Sequence, residues 1–337
     1  AADFAGRRPY GRTSGDRSSA IERLAADRDI LVGATTLRAW AWFGPRPLRD
    51  PFYGNSAQRS QFRPFNRFLR FVTPIEALGP WLKTHPGIQP SGFVFHMSRC
   101  GSTLVSQMLA ASPRHVAISE APPIDDVVRA PLFRRDLSDD ETIRWLTWIV
   151  AALGQPRGDA NRYFIKLDTW HTPWLPLFRR AFPDVPWIFL YREPVEVLES
   201  HRKMPGVQSV PGFFGHDLFG IDRLFQSDDL PGHLARFLAA VCEPVAQHHA
   251  TSGGLLVNYR ELPAAMHTRI LPHFGIALDA EDRALMDAAS RIDAKTPHRT
   301  FAPDTEAKQR SATDAARIAA DRYLRDVYQR LETARLQ

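Results

Sequence analysis

The sequence predicts an α/β domain of three layers, a central, mainly parallel sheet flanked by helices. Three observations carry this. From Gly92 onward, short apolar runs alternate with segments of helical period. The runs are apolar throughout rather than every second residue, the mark of strands covered on both faces. At 337 residues, 44% hydrophobic and 24% charged, the chain can also bury a large core. Taken in order, "GFVFHM" is a strand, Ser102–Ala111 a helix, and "HVAIS" a strand ending at Glu120. Asp139–Leu153 is a helix with an aspartate-rich start, "RYFIKLD" a strand, and "WLPLFRRAF" a helix. "PWIFLYRE" is a strand feeding the helix "VEVLESHRK". Leu230–Ala250 is helical, "GGLLVNYREL" a strand with a turn, and Thr313–Leu336 one alanine- and arginine-rich helix.

Residues 1–20, rich in Arg, Gly and Ser, are expected to be a disordered basic tail. Residues 21–90 form an N-terminal cap or acceptor-side region whose aromatics are read as core, and 91–337 the main domain. No apolar run approaches the roughly 18 residues that span a bilayer, so no membrane span is expected. The basic N-terminus has no apolar stretch behind it, unlike a signal peptide. Cys100 and Cys242 are the only cysteines, which suits reduced thiols and a cytoplasmic location. No Cys/His spacing fits zinc; His248-His249 reads as surface, and neither a metal nor a nucleic-acid partner is expected. The net charge of +6 suits an anionic ligand, and with only five lysines among 43 cations each lysine is informative.

The stretch "FVFHMSRCGSTLVSQML" runs from strand through a glycine turn into a helix, a way to hold phosphate. In G-x-x-x-x-G-K-[ST] loops, backbone N–H groups cradle phosphates and the lysine reaches the β/γ-phosphates. With Gly101 at the second glycine, His96 stands at the first, Ser102 at the lysine and Thr103 at the hydroxyl. Two fixed positions fail, which weakens an ATP or GTP reading. What remains is an apical arginine, a glycine, two hydroxyls and a helix N-terminus.

"SRCGSTLV" resembles the 5′-phosphosulfate loop of sulfotransferases that use 3′-phosphoadenosine-5′-phosphosulfate (PAPS). The resemblance puts Arg99 at the cationic position, Gly101 at the close approach and Ser102 and Thr103 at the hydroxyls, with Cys100 and Leu104 completing the loop. Such a donor has no γ-phosphate for a lysine to hold, and the family needs no metal. "WIFLYREPVEVLESHRK" is similar to the family's second motif, an arginine leaving a strand and a serine eight residues on, which grip the 3′-phosphate. Arg192 and Ser200 take those positions; an arginine fork suits a dianionic phosphate. Arg202 or Lys203 could add charge or be solvated.

In-line sulfuryl transfer needs a base for the acceptor hydroxyl and cations for the developing charge. "SPRHVAISEAPP" resembles the tyrosylprotein sulfotransferases, in which a glutamate at this offset is the base, so the resemblance assigns that role to Glu120. His115 falls before the strand. Lys166, in "YFIKLDTW", takes the place of the family lysine that stabilises the transition state with Arg99. Here Lys166-Leu167-Asp168 departs from that pattern, which puts acceptor contacts near Asp168 and His171 in doubt. "LLVNYREL" resembles the strand whose tyrosine binds nucleotide, at Tyr259, with Arg260 where glutamate is common. "AKTPHRTFAPDTEAKQRS" corresponds to a flexible loop that gives cations to the phosphates; Lys308 is the first candidate, then Arg310 and Lys295.

The resemblance runs from about Phe93 to Arg310 and implies a P-loop NTPase-like sulfotransferase fold. It implies PAPS as co-substrate, 3′-phosphoadenosine-5′-phosphate (PAP) as product, and an acceptor that is a small-molecule or peptide hydroxyl. The missing secretory signal favours a small alcohol, phenol, sugar or lipid. The rivals are an ATP-dependent small-molecule kinase and a catalytically inactive nucleotide-binding protein of the same fold.

Overall fold

Five wholly parallel strands make the sheet: β3 (Pro90–His96), β4 (His115–Ser119), β5 (Arg162–Lys166), β6 (Trp187–Tyr191) and β7 (Gly254–Asn258), in spatial order β4-β5-β3-β6-β7. The computed structural model describes residues 37–44, 47–69, 71–211, 219, 229–293 and 304–337. An antiparallel pair, β1 (Leu37–Trp40) with β2 (Phe71–Pro74), stands apart from the main sheet. Thirteen helices matter here among the described residues: α1 (Tyr53–Ser60), α2 (Pro64–Phe68), α3 (Leu78–Thr84), α4 (Ser102–Ala111), α5 (Pro122–Phe133), α6 (Asp139–Leu153), α7 (Leu175–Ala181), α8 (Pro194–Lys203), α9 (Leu230–Ser252), α10 (Ala280–Ser290), α11 (Thr305–Ser311), α12 (Asp314–Tyr323) and α13 (Arg325–Leu336).

The strands are buried because both faces are covered. Every residue of β6 is inaccessible, and Phe93 and Phe95 of β3 meet Phe178 edge-on. β3 pairs with β5 on one side and β6 on the other, so the order reverses at β3. In open parallel sheets the crevice beyond the strand carboxyl ends at such a reversal is where ligands bind.

Several expectations need correction. α5 escapes the sequence reading because of its prolines, yet Pro122 and Pro123 open it, where no N–H is needed, and Pro131 lies in its last turn. The expected C-terminal helix is two: Leu324, at φ −117° and fully buried, turns the chain between α12 and α13. β3 starts two residues earlier than Gly92. Lys308 lies on α11, not in a flexible loop; Lys295 and the tail 1–20 lie outside the described residues. The N-terminal aromatics divide: Phe43 and Tyr53 are core, but Phe62, Phe65 and Phe68 are exposed.

Candidate active site

Each strand of the parallel sheet delivers a candidate residue at its carboxyl end. The turn 97–101 follows β3, Glu120 follows β4, Lys166 ends β5, Arg192 follows β6 and Tyr259 follows β7. Because the strands are parallel and adjacent, these lie along one edge.

The turn after β3 is held in an unusual backbone shape. Ser98, Arg99 and Gly101 have φ of 85°, 50° and 83°. Positive φ is costly for a residue with a side chain, and such residues cluster where geometry serves a ligand. Gly101 is needed for space as well: a Cβ would lie 2.7 Å from Leu262 Cδ1 and 3.0 Å from Tyr259 Cδ2. α4 starts directly after it with no side-chain cap and no acid in its first turn, leaving its amide dipoles uncompensated. By contrast α6 carries a capping box from Ser138 and Glu141. Ser102 and Thr103 open α4 and are buried; Leu104 packs into the core. Cys100 is buried beneath the turn, its thiol pushed up to about 11 by burial.

The Arg99 side chain reaches over the turn to the end of α8, where its guanidinium donates to the Met204 carbonyl at 2.6 Å. Ser98 Oγ meets His201 Nε2 at 3.0 Å and accepts from Gln208 at 2.9 Å, fixing the turn against α8.

Arg192 is nearly inaccessible. It donates to Glu196 at 2.6 Å and to Asp304 at 2.6 Å, and its guanidinium lies 3.8 Å from the centre of the Tyr259 ring. Lys308 pairs with the other oxygen of Asp304 at 2.8 Å. Burial of the Asp304 carboxyl acts against ionisation, but Lys308 and Arg192 outweigh it and hold the group below the usual range. One carboxylate therefore sits between an arginine fork and an ammonium. Tyr259 links the two parts of the site, with one ring edge against Gly101 and its face under Arg192.

Glu120 and Lys166 form a direct ion pair. Glu120 has φ 52°, and its amide donates to the Lys166 carbonyl at 2.8 Å. Burial favours the neutral acid, but the Lys166 charge and the His96 ring outweigh it and hold Glu120 well below the usual carboxylate range. The Arg99 guanidinium is also within electrostatic reach of Glu120.

His96, the last residue of β3, was missed as a site residue. Its Nδ1 accepts the Ser98 N–H at 3.1 Å, which leaves the proton on Nε2 to donate to the Leu167 carbonyl at 3.0 Å. Nε2 also lies 3.6 Å from Glu120. Burial, then Lys166, lowers its pKa to about 4, so the ring stays neutral. The available signal was its place at the carboxyl end of the strand that feeds the turn. Phe52, whose ring centre is 5.2 Å from Lys166 Nζ, had no such signal.

Beside Glu120, Asp125, Asp168 and His171 each bring a potential metal-ligating atom within 4.8 Å of the others. His171 Nε2 meets Asp125 at 3.0 Å, and Trp170 and Arg129 donate to the same carboxylate at 2.6 Å and 3.2 Å. Burial, with the charges of Glu120 and Asp125, pushes Asp168 well above the ordinary range, toward the neutral acid. His171 also accepts from the Asp168 amide at 3.2 Å, which ties the three residues together.

Not every expected residue converges. Arg310 is exposed and pairs with Glu306. Arg202 and Lys203 pair with the buried Glu199. Ser200, by contrast, stays beside Arg192: it is half-buried on α8, one helical turn beyond Glu196, which accepts from Arg192. His115 is the first residue of β4 rather than before it, and lies at the strand end opposite Glu120.

No family model and no curated protein matches the chain. Solved structures do. The sulfotransferase domain of the Synechococcus PCC 7002 olefin synthase is 18% identical, over 74% of this chain and 96% of that domain, with a TM-score of 0.41. Sulfotransferase STF9 from Mycobacterium avium is 13% identical over 72% of this chain and 80% of its own, with a TM-score of 0.45. Sulfotransferase STF1 from Mycobacterium tuberculosis H37Rv is 16% identical over 74% and 81%, with a TM-score of 0.42.

Proposed function

We propose that the chain is a sulfotransferase that moves the sulfuryl group of PAPS to an acceptor hydroxyl by in-line displacement. The observation that carries this reading is the spacing of two anion-holding places along one sheet edge. One is the uncapped start of α4 behind the strained turn; the other is the Arg192–Lys308 clamp, which already holds a carboxylate. Tyr259 stands between them. A nucleoside with one phosphate on each side of its ribose has this distribution of charge.

The turn amides with Ser102 and Thr103 would take the 5′-phosphosulfate, and Arg192, Lys308 and Ser200 the 3′-phosphate. As the acceptor oxygen bonds to sulfur, the bond from sulfur to the bridging 5′-phosphate oxygen breaks, PAP leaves, and the acceptor proton passes to Glu120. A carboxylate held so low is a poor base at rest. Lys166 resolves this: once its ammonium shifts toward the sulfuryl oxygens and the leaving oxygen, the charge holding Glu120 down weakens and its basicity rises. Among the described residues, Arg99 has one carbonyl and one sulfur at the end of α8 to leave when it turns to the same oxygens.

Calorimetric titration with PAP and with ATP, each with and without Mg²⁺, tests the donor assignment. PAP is expected to bind without metal and more tightly than ATP. Tighter Mg²⁺-dependent binding of ATP would support a kinase instead. Glu120→Gln should keep PAP affinity while lowering turnover about 10²–10⁴-fold once an acceptor is in hand; unchanged turnover would remove Glu120 from the chemistry.

A further inference from the structure

The segment from Trp42 to Phe68 carries a surface that the proposed transfer does not use. Phe62, Phe65 and Phe68 are 75%, 47% and 84% exposed, and Trp42 is 48% exposed. Trp42 and Phe65 meet edge-on with centroids 5.9 Å apart, and the Arg63 guanidinium lies 5.4 Å from the Trp42 ring. Arg67 is exposed beside them. From residue 51 to residue 75 the sequence contains no acidic residue. The platform is rigid: buried Asn66 accepts from the Trp42 amide at 2.6 Å and donates to the carbonyls of Trp42 and Ser60, each at 2.8 Å.

Clustered exposed aromatics cost solvation unless something covers them. Aromatic rings interleaved with arginines suit the boundary between lipid headgroups and acyl chains, where the rings sink and the guanidinium groups meet phosphates. A second copy fits less well, since a two-fold contact would set the arginines against each other. We propose that Trp42, Phe62, Phe65 and Phe68, with Arg63 and Arg67, dock the protein on an anionic bilayer surface. The patch is close to the chemistry. α1 alone, about 12 Å at 1.5 Å per residue, separates it from Phe52, which lies over Lys166. Docking stands on the patch; its consequence, that the acceptor hydroxyl is met at a lipid surface, rests on the sulfotransferase reading.

Co-sedimentation of the full chain with vesicles of phosphatidylcholine, with and without phosphatidylglycerol, tests it, with light scattering for self-association and PAP calorimetry on the same samples. Binding is expected to the anionic vesicles and to weaken with salt. Phe62→Ser/Phe65→Ser/Phe68→Ser should lower it by about tenfold per ring, and Arg63→Glu/Arg67→Glu by at least about fivefold per charge. PAP affinity and the melting temperature should not change in either variant, since none of these residues belongs to the core or the site. Absence of binding to anionic vesicles, binding indifferent to both variants, or a wild-type dimer that the triple variant dissociates would each overturn docking. Loss of PAP binding in the wild type would instead strike the sulfotransferase reading and leave docking standing.

Discussion

Asp304 is the residue whose role is most open to measurement. Its carboxylate takes one donor from Arg192 and one from Lys308, the partners assigned to the 3′-phosphate. A phosphate arriving there must displace it. Asp304→Asn is therefore expected to tighten PAP by about tenfold, near 1.4 kcal/mol. It should also lower the stability of the ligand-free protein, because two buried cations lose a counter-charge. Thermal melts with and without PAP check both parts: a lower melting point alone and a larger PAP-induced rise. Equal or weaker PAP affinity would mean that Asp304 supports the clamp rather than competing for it. The placement of Arg192, Lys166, Glu120 and Tyr259 at the sheet's carboxyl edge was legible in the sequence, because each ends or follows an apolar strand. Asp304 was not, because nothing in "FAPDTEAKQRS" says which carboxylate folds back on the arginine of a distant strand.

Among the elements, the β3–turn–α4 unit carries the tightest constraint. Gly101 combines φ 83° with a Cβ position only 2.7 Å from Leu262 and 3.0 Å from Tyr259. Gly101→Ala is expected to cost about 1–3 kcal/mol and to weaken PAP by moving Tyr259 under Arg192. Denaturant midpoints and calorimetry read the two effects; an unchanged midpoint would show that the turn relaxes freely. Strands and long helices were readable from apolar period and caps, and the bounds of α4 and α6 match the expectation residue for residue. α5 was hidden by three prolines that sit where a helix tolerates them. The break at Leu324 has no local signal, since leucine favours helix and the turn is set by what it packs into.

At the scale of the whole molecule, two buried imidazoles couple the fold to pH. His96 and His115 are both lowered from 6.5 to about 4, chiefly by burial. Above about pH 6.5 both states are neutral there and the stability is fully present. As pH falls from about 6.5 toward 4, the unfolded chain takes up protons that the folded chain refuses, and stability is lost, on the order of 3 kcal/mol per histidine. Glu120 acts in the same direction, but only below its ordinary carboxylate range. Denaturation at a series of pH values is expected to show the decline starting near 6.5, with His96→Gln making it shallower. A flat profile down to 5, in about the middle of that window, would contradict the burial argument. Histidine counts say nothing of this; only the packing that closes over β3 and β4 sets it.

A sheet whose strands all point one way gathers at a single rim side chains that are remote in sequence, from Arg99 to Lys308. A nucleotide seated along that rim would stitch the first βα unit to a helix near the chain's other end. Fraying anywhere between would then have to let the ligand go, so the donor would guard the entire domain against proteolysis rather than one loop of it.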